Sequence, residues 1–180
     1  EPDVPPARRW VKVLLALICA GIAAMWVYAF VFAGKDGVYR VKNDQWRSAA
    51  QTICKDAQDR RLALADTEGG YIANPTVEQM RQRADIVDQA TDIIERMLND
   101  VVALPLTTDH DQHAVDVWQR YFRILIEDRR AYTARLRTGE LAPYRESVVE
   151  GGPVTNVITD FTSGNNVKSC APPGELNGDA

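Results

Sequence analysis

Residues 77–102 read VEQMRQRADIVDQATDIIERMLNDVV, and within them Met80, Ala84, Val87, Thr91, Ile94, Leu98 and Val101 follow one another at alternating steps of four and three. Such steps return each side chain to one side of a helix with 3.6 residues per turn. Ile86, Ala90, Ile93 and Met97 widen the stripe, so the spacing predicts a helix packed along its whole length. Asn74-Pro75-Thr76 supplies a cap and an N-terminal proline for it, and Pro105 marks its end. Asp85, Asp88, Asp92 and Glu95 fall on another side. With Arg81, Arg83 and Arg96 nearby, they read as a solvated surface.

On the N-terminal side of that helix, Asn43 or Asp44 can cap an earlier one that runs to about Asp66, with Trp46, Ala50, Ile53, Ala57 and Leu64 near one face. Thr67-Glu68-Gly69-Gly70 breaks the pattern. On the C-terminal side a third helix is expected from Thr108, a hydroxyl cap, to Gly139, with Asp109 and Asp111 in its first turn. Val115, Trp118, Phe122, Leu125, Tyr132 and Leu136 make its apolar face, while Arg129, Arg130, Arg135 and Arg137 gather near its C-terminus, where cations suit the helix dipole. A short helix is expected around Pro143 to Val149. Residues 150–180 are rich in Gly, Pro, Asn, Ser and Thr and show no helical period, although Val154, Val157, Ile158 and Phe161 can stick to the helices. Three long helices and a strapped tail make an up-down-up bundle over residues 44–149, followed by an irregular tail over 150–180.

Residues 13–33, VLLALICAGIAAMWVYAFVFA, are 21 positions without a charge. A helix rising about 1.5 Å per residue crosses roughly 30 Å of hydrocarbon over that length. Trp10 stands at one end and Trp26, Tyr28 and Phe30 toward the other, which suits aromatics at headgroup depth. A cleaved signal peptide is the rival, since Val31 and Ala33 satisfy the small-residue rule for a cut before Gly34, but the run exceeds the roughly 7–15 residues of a signal core. The chain therefore reads as all-α with a single membrane helix at 13–33, a tail at 1–12, a hinge at 34–43 and one helical domain beyond. Ala16, Ala20, Gly21, Ala23 and Ala24 give the membrane helix a smooth patch suited to close helix packing.

Arg8, Arg9 and Lys12 flank one end of the apolar run, and Lys35, Arg40, Lys42 and Arg47 follow the other, so the positive-inside count does not set the direction. The cysteines do. Cys19 lies inside the apolar run as a small hydrophobe. Cys54 and Cys170 are left to close a loop of about 115 residues, a link contributing on the order of 4 kcal/mol in the chain-entropy model and persisting only in an oxidising space. Residues 1–12 are then cytoplasmic and the helical domain periplasmic or extracellular. Arginine outnumbers lysine 16 to 5, with Ala, Asp and Val abundant, a habit of GC-rich bacterial genomes.

The chain carries a net charge of −4, and residues 36–180 hold 17 Lys/Arg against 23 Asp/Glu. A domain near −6 argues against nucleic acid, which needs a basic face. There is no His-Glu-x-x-His, Cys-x-x-Cys, Cys-x-x-Cys-His, Gly-x-Ser-x-Gly or glycine-rich phosphate loop, so no enzyme and no cofactor are expected. Asp109, His110, His113 and Asp116 are the candidate metal ligands, because imidazole and carboxylate at helical spacing bind divalent ions. They lie in the opening turns of a helix, where capping and exposure are common, so no metal is assigned. Trp46, Trp118, Tyr121 and Phe122 are large enough to line a pocket, though at helical spacing they read first as core. Thr91 and Arg129 stand where an inward apolar residue belongs, as register-setting contacts or a clue to a partner. Together these features point to an accessory or structural subunit of a bacterial membrane complex, contacting other membrane subunits and the bilayer. An extracytoplasmic sensor or small-ligand or metal-binding domain is the alternative.

Overall fold

The computed structural model describes residues 6–29, 39–64, 74–141, 143–174 and 176. It is predominantly helical and divides into two compact units, Glu1–Asp36 and Gly37–Ala180. The first holds α1, Pro6–Val27. This helix begins seven residues ahead of the charge-free run, with proline at its first position, where a missing N–H costs nothing. The stretch Trp10–Val27 is long and apolar enough to cross a membrane, and none of it is buried. Positions 30–33 of the expected span lie outside the described residues.

The second unit contains α2 (Asp44–Leu64), α3 (Val77–Val102), α4 (Asp109–Arg137), a two-stranded hairpin of β1 (Val148–Val149) and β2 (Gly152–Pro153), α5 (Val154–Gly164) and a 3-10 turn at Lys168–Cys170. Asn43 caps α2 as its sequence indicates, its Oδ1 accepting the Trp46 N–H at 3.0 Å. The cap of α3 is Thr76 rather than Asn74. Thr76 is extended and exchanges two bonds with Gln79, a reciprocal capping box. Asn74 sits at φ 58, and the proline that follows disfavours the helical region for it. Every member of the four-and-three stripe on α3 is buried, and so are Ala90, Ile93 and Met97. Ile86 is half-buried.

Helix α4 follows its sequence reading closely. Thr108 accepts the Asp111 N–H at 3.1 Å, and Val115, Trp118, Phe122, Leu125, Tyr132 and Leu136 are buried. The helix ends at Arg137, and Gly139 turns the chain at φ 83. A Cβ there would stand 3.3 Å from Val77 Cγ2, so the left-handed turn and the close approach of α3 both call for glycine. Helices α3 and α4 run antiparallel: Arg123 reaches Asn99, Arg129 reaches Thr91, Arg130 reaches Asp92 and Arg137 reaches Asp85.

Two expectations are corrected. No helix forms between Pro143 and Val149. Ser147 is held instead by Asp128, which accepts its N–H and its hydroxyl at 2.7 Å each, and Val148–Val149 pairs antiparallel with Gly152–Pro153. β-Branched residues followed by Gly151-Gly152 favour this hairpin over a helical turn. The segment 150–180, expected to be irregular, contains α5. Val154, Ile158, Phe161 and Thr162 lie at helical spacing and are buried, whereas threonine, asparagine and glycine between them dilute the periodic signal. Pro153 gives no side-chain cap, but Glu146 accepts the Thr155 N–H and hydroxyl at 3.2 and 2.6 Å.

Helix α5 is core rather than strap. One cluster joins Trp46, Leu98, Val115, Trp118, Phe122, Ile158, Phe161 and Val167. A smaller one gathers Met80, Ala84, Val87, Tyr132, Leu136 and Leu176. Cys54 of α2 and Cys170 of the 3-10 turn form a disulfide across 116 residues, both buried. Closing a loop that long removes about 5 kcal/mol of chain entropy from the unfolded state. The double variant Cys54→Ala with Cys170→Ala should therefore melt at least 10 °C lower (about 2–4 °C per kcal/mol for a domain this size). Circular dichroism of the full chain in detergent measures this, and an unchanged midpoint would contradict the argument.

Candidate functional site

Of the candidate ligands at the head of α4, His110, His113 and Asp116 each contact another residue, and their neighbour Asp111 holds backbone. Asp111, 1% exposed, accepts the Lys42 N–H at 2.8 Å and the Asn43 N–H at 3.2 Å. His110 Nε2 lies 3.1 Å from the Arg40 carbonyl, Gln112 donates to Asp116 at 2.9 Å, and the His113 ring faces Tyr39 with centroids 6.2 Å apart. Among the described residues no three His, Cys, Asp or Glu side chains gather to hold a metal ion. The cluster fastens the backbone that leads into α2.

Asn165, at the C-terminus of α5 and 1% exposed, completes that fastening. Its Oδ1 accepts the Val41 N–H at 2.7 Å, and its Nδ2 donates to the Tyr39 and Phe161 carbonyls at 3.1 and 2.9 Å. Arg47 bonds the Val41 carbonyl. Backbone without regular structure thus finds partners for its buried groups, as it must. Nothing in the local spacing of Asp111 or Asn165 announces this role, because both partners are distant in sequence.

The acidic stripe of α3 is not a free surface. Arg130 of α4 bonds Asp88, Asp92 and Glu95, and Arg137 bonds Asp85 and Asp88. The arginines that suit the α4 dipole also form an inter-helix ladder with that stripe. Below it Arg129, 1% exposed, donates from Nε to Thr91 Oγ1 at 2.9 Å, and the Thr91 hydroxyl donates to the Val87 carbonyl at 2.7 Å. Thr91 and Arg129 are therefore register-setting contacts between α3 and α4.

Partial burial works to raise the Asp88 pKa, but hydrogen bonds from Arg137, Thr133 and Arg130 outweigh it and hold the carboxyl below its ordinary value. A carboxylate so depressed stabilises the fold above the unfolded value near ~4 and loses that contribution as pH falls through the folded value. Asp88→Asn should remove roughly 1–2 kcal/mol at pH 7, while its melting point approaches that of the parent chain below about pH 4. Melting curves from pH 7 down to 3 check both; a constant difference across that range would refute the assignment.

Between α4, α5 and the lead-in segment lies an open cleft of about 230 Å³. Buried Trp118 and Phe161 line it, stacked with centroids 5.5 Å apart, together with Tyr39, Tyr121, Glu150 and Asp160. Of the four candidate aromatics, Trp118 and Tyr121 reach this cleft, while Trp46 and Phe122 belong to the core. Among the described residues the buried indole N–H of Trp118 has no acceptor, and neither has that of Trp46 in the core, so this is not a mark of the cleft. Tyr121 donates its hydroxyl to Glu150 at 2.5 Å; that bond and slight burial raise the phenol pKa. Glu150 holds φ 51 in the hairpin turn. A side chain in the left-handed region costs about 1 kcal/mol, and glycine or asparagine is the usual occupant of such a turn.

Ala16, Ala20, Gly21, Ala23 and Ala24 of α1 are exposed, as is Cys19, and a Cβ on Gly21 would meet nothing within 4 Å. No known protein family, curated protein or solved structure matches the chain.

Proposed function

We propose that the chain is a non-catalytic accessory subunit of a bacterial membrane complex, anchored by α1 and presenting an up-down-up helical domain to neighbouring subunits on the periplasmic side. The observation that carries this reading is the exposure of α1. Leu14, Leu15, Leu17, Ile18 and Ile22 are each half-exposed or more. Leaving five such side chains in water forgoes on the order of 10 kcal/mol of burial, and a bilayer relieves that. The face carrying Ala16, Ala20, Ala23 and Ala24 allows a second membrane helix to come close.

The disulfide supports the periplasmic orientation, since a cytoplasmic domain would be kept reduced. Helices α3 and α4 are fastened by packing, ion pairs and a buried Arg129–Thr91 bond, which suits a rigid body that presents surfaces. A second reading, an extracytoplasmic small-ligand-binding domain, draws on the aromatic cleft between α4 and α5.

Capture of the chain from detergent-solubilised native membranes should bring other membrane proteins in equal stoichiometry, and a lone monomer would sink the proposal. Alkaline phosphatase fused behind residue 180 should be active, as only an export-side domain allows. An inactive fusion at normal expression would reverse the orientation.

A further inference from the structure

The cleft between α4 and α5 has a floor of core aromatics and a rim of tyrosines and carboxylates that core packing does not require. Trp118 and Phe161 are stacked and buried against it, with Tyr39 and Tyr121 at its exposed side. Glu150 and Asp160 also line it and are exposed; they outnumber Arg40, so its described lining carries a net charge of −1. Aromatic side chains beside carboxylates attract a cation that is itself partly apolar, because the ring quadrupole and the carboxylate both favour positive charge while the rings cover its alkyl surface. A hydrated metal ion gains nothing from the rings, and among the described residues no metal-binding group is present.

Glu150 sharpens the case. Three described non-glycine residues have positive φ, and two of them are asparagines, Asn74 and Asn166, which tolerate it. The third is Glu150, in a turn where glycine would serve better, and its carboxylate stands at the cleft against the Tyr121 hydroxyl. The turn keeps a strained residue, and what that residue adds is a carboxylate at the cleft, bonded to the Tyr121 hydroxyl.

We propose that this cleft binds an organic cation, an alkylammonium or guanidinium group, between the accessible rings of Tyr39 and Tyr121 and the carboxylates of Glu150 and Asp160. Such a group arrives on a small free amine or on a Lys or Arg side chain of a neighbouring subunit. The assignment stands independently of the accessory-subunit reading.

Titration of the isolated full chain in detergent with tetramethylammonium and with agmatine, followed by saturation-transfer NMR, tests it, with neopentyl alcohol as a neutral probe of similar shape. Saturable binding of either cation, at least tenfold tighter than the alcohol, is expected. The variant Glu150→Gly with Asp160→Asn should bind at least tenfold more weakly. Glu150→Gly alone should melt no lower than the parent chain, because glycine relieves the turn; a purely structural Glu150 would instead lower the midpoint and leave cation affinity unchanged. Absence of saturable binding, equal binding of the alcohol, or full affinity in the double variant would overturn the proposal. Binding by the isolated chain but not by the chain captured with its neighbours assigns the cation to a partner's side chain, and equal binding in both assigns it to a free amine. Should no neighbour be captured, the accessory-subunit reading falls while the titration still decides the cleft.

Discussion

The segment 39–43 has no ladder of its own, and everything after it depends on where it is held. Two buried side chains, Asp111 and Asn165, accept the N–H groups of Val41, Lys42 and Asn43. A buried carboxylate or amide that lost these partners would carry a desolvation cost of about 1–3 kcal/mol, so the bonds bind in both directions. The lead-in segment is fixed to the first turn of α4 and the C-terminal end of α5, and the Asp111 and Asn165 side chains are satisfied by it. Val41 then enters the core fully buried, Trp46 follows one turn into α2, and the disulfide from Cys54 returns the chain to the 3-10 turn beyond α5. The aromatic cleft is bordered by the same segment through Tyr39 and Arg40.

The long helices were legible because their signals are local. The stripe from Met80 to Val101, the Thr108 cap and the face from Val115 to Leu136 are all repeated within a few residues, and burial follows them. The pairing of Cys54 with Cys170 was legible by elimination, as the two remaining thiols of a chain with one cysteine in an apolar run. Helix α5 was missed although Val154, Val157, Ile158 and Phe161 stand at i, i+3, i+4 and i+7, because that stripe is only two turns long and the residues between are threonines, an asparagine and an aspartate of weak helical preference. The hairpin before it depends on Asp128, contributed from α4 nineteen residues earlier. The candidate site escaped for the same reason: Trp118 and Tyr121 are marked by spacing, but Phe161, Glu150 and Asp160 reach the cleft only once α5 has packed. Acidic and basic stripes were each visible on their own helices. Their mutual recognition required the antiparallel register that Thr91 and Arg129 set.

Taken together, the second unit is braced by four unlike means: apolar packing, an ion-pair ladder, buried polar bonds and one covalent link. Buried Asp111, Asn165, Thr91 and Arg129 are engaged in holding elements to one another, while Glu150 and Asp160 place two exposed carboxylates at the α4–α5 cleft. A domain of this kind suits recognition of a shape or a charge.

The disulfide has a mechanical meaning as well as a thermodynamic one. Tension applied to the chain on either side of the domain enters at the clamped segment, runs along α2 to Cys54, and crosses a covalent bond to Cys170 before leaving. Residues 55–169, including the antiparallel pair α3 and α4, lie off that covalent path, whereas Tyr39 and Arg40 at the border of the cleft lie on it. A pull between the two flanks is then borne by the first turns of α2 and the clamp at Val41, and the rest of the domain keeps its shape under strain.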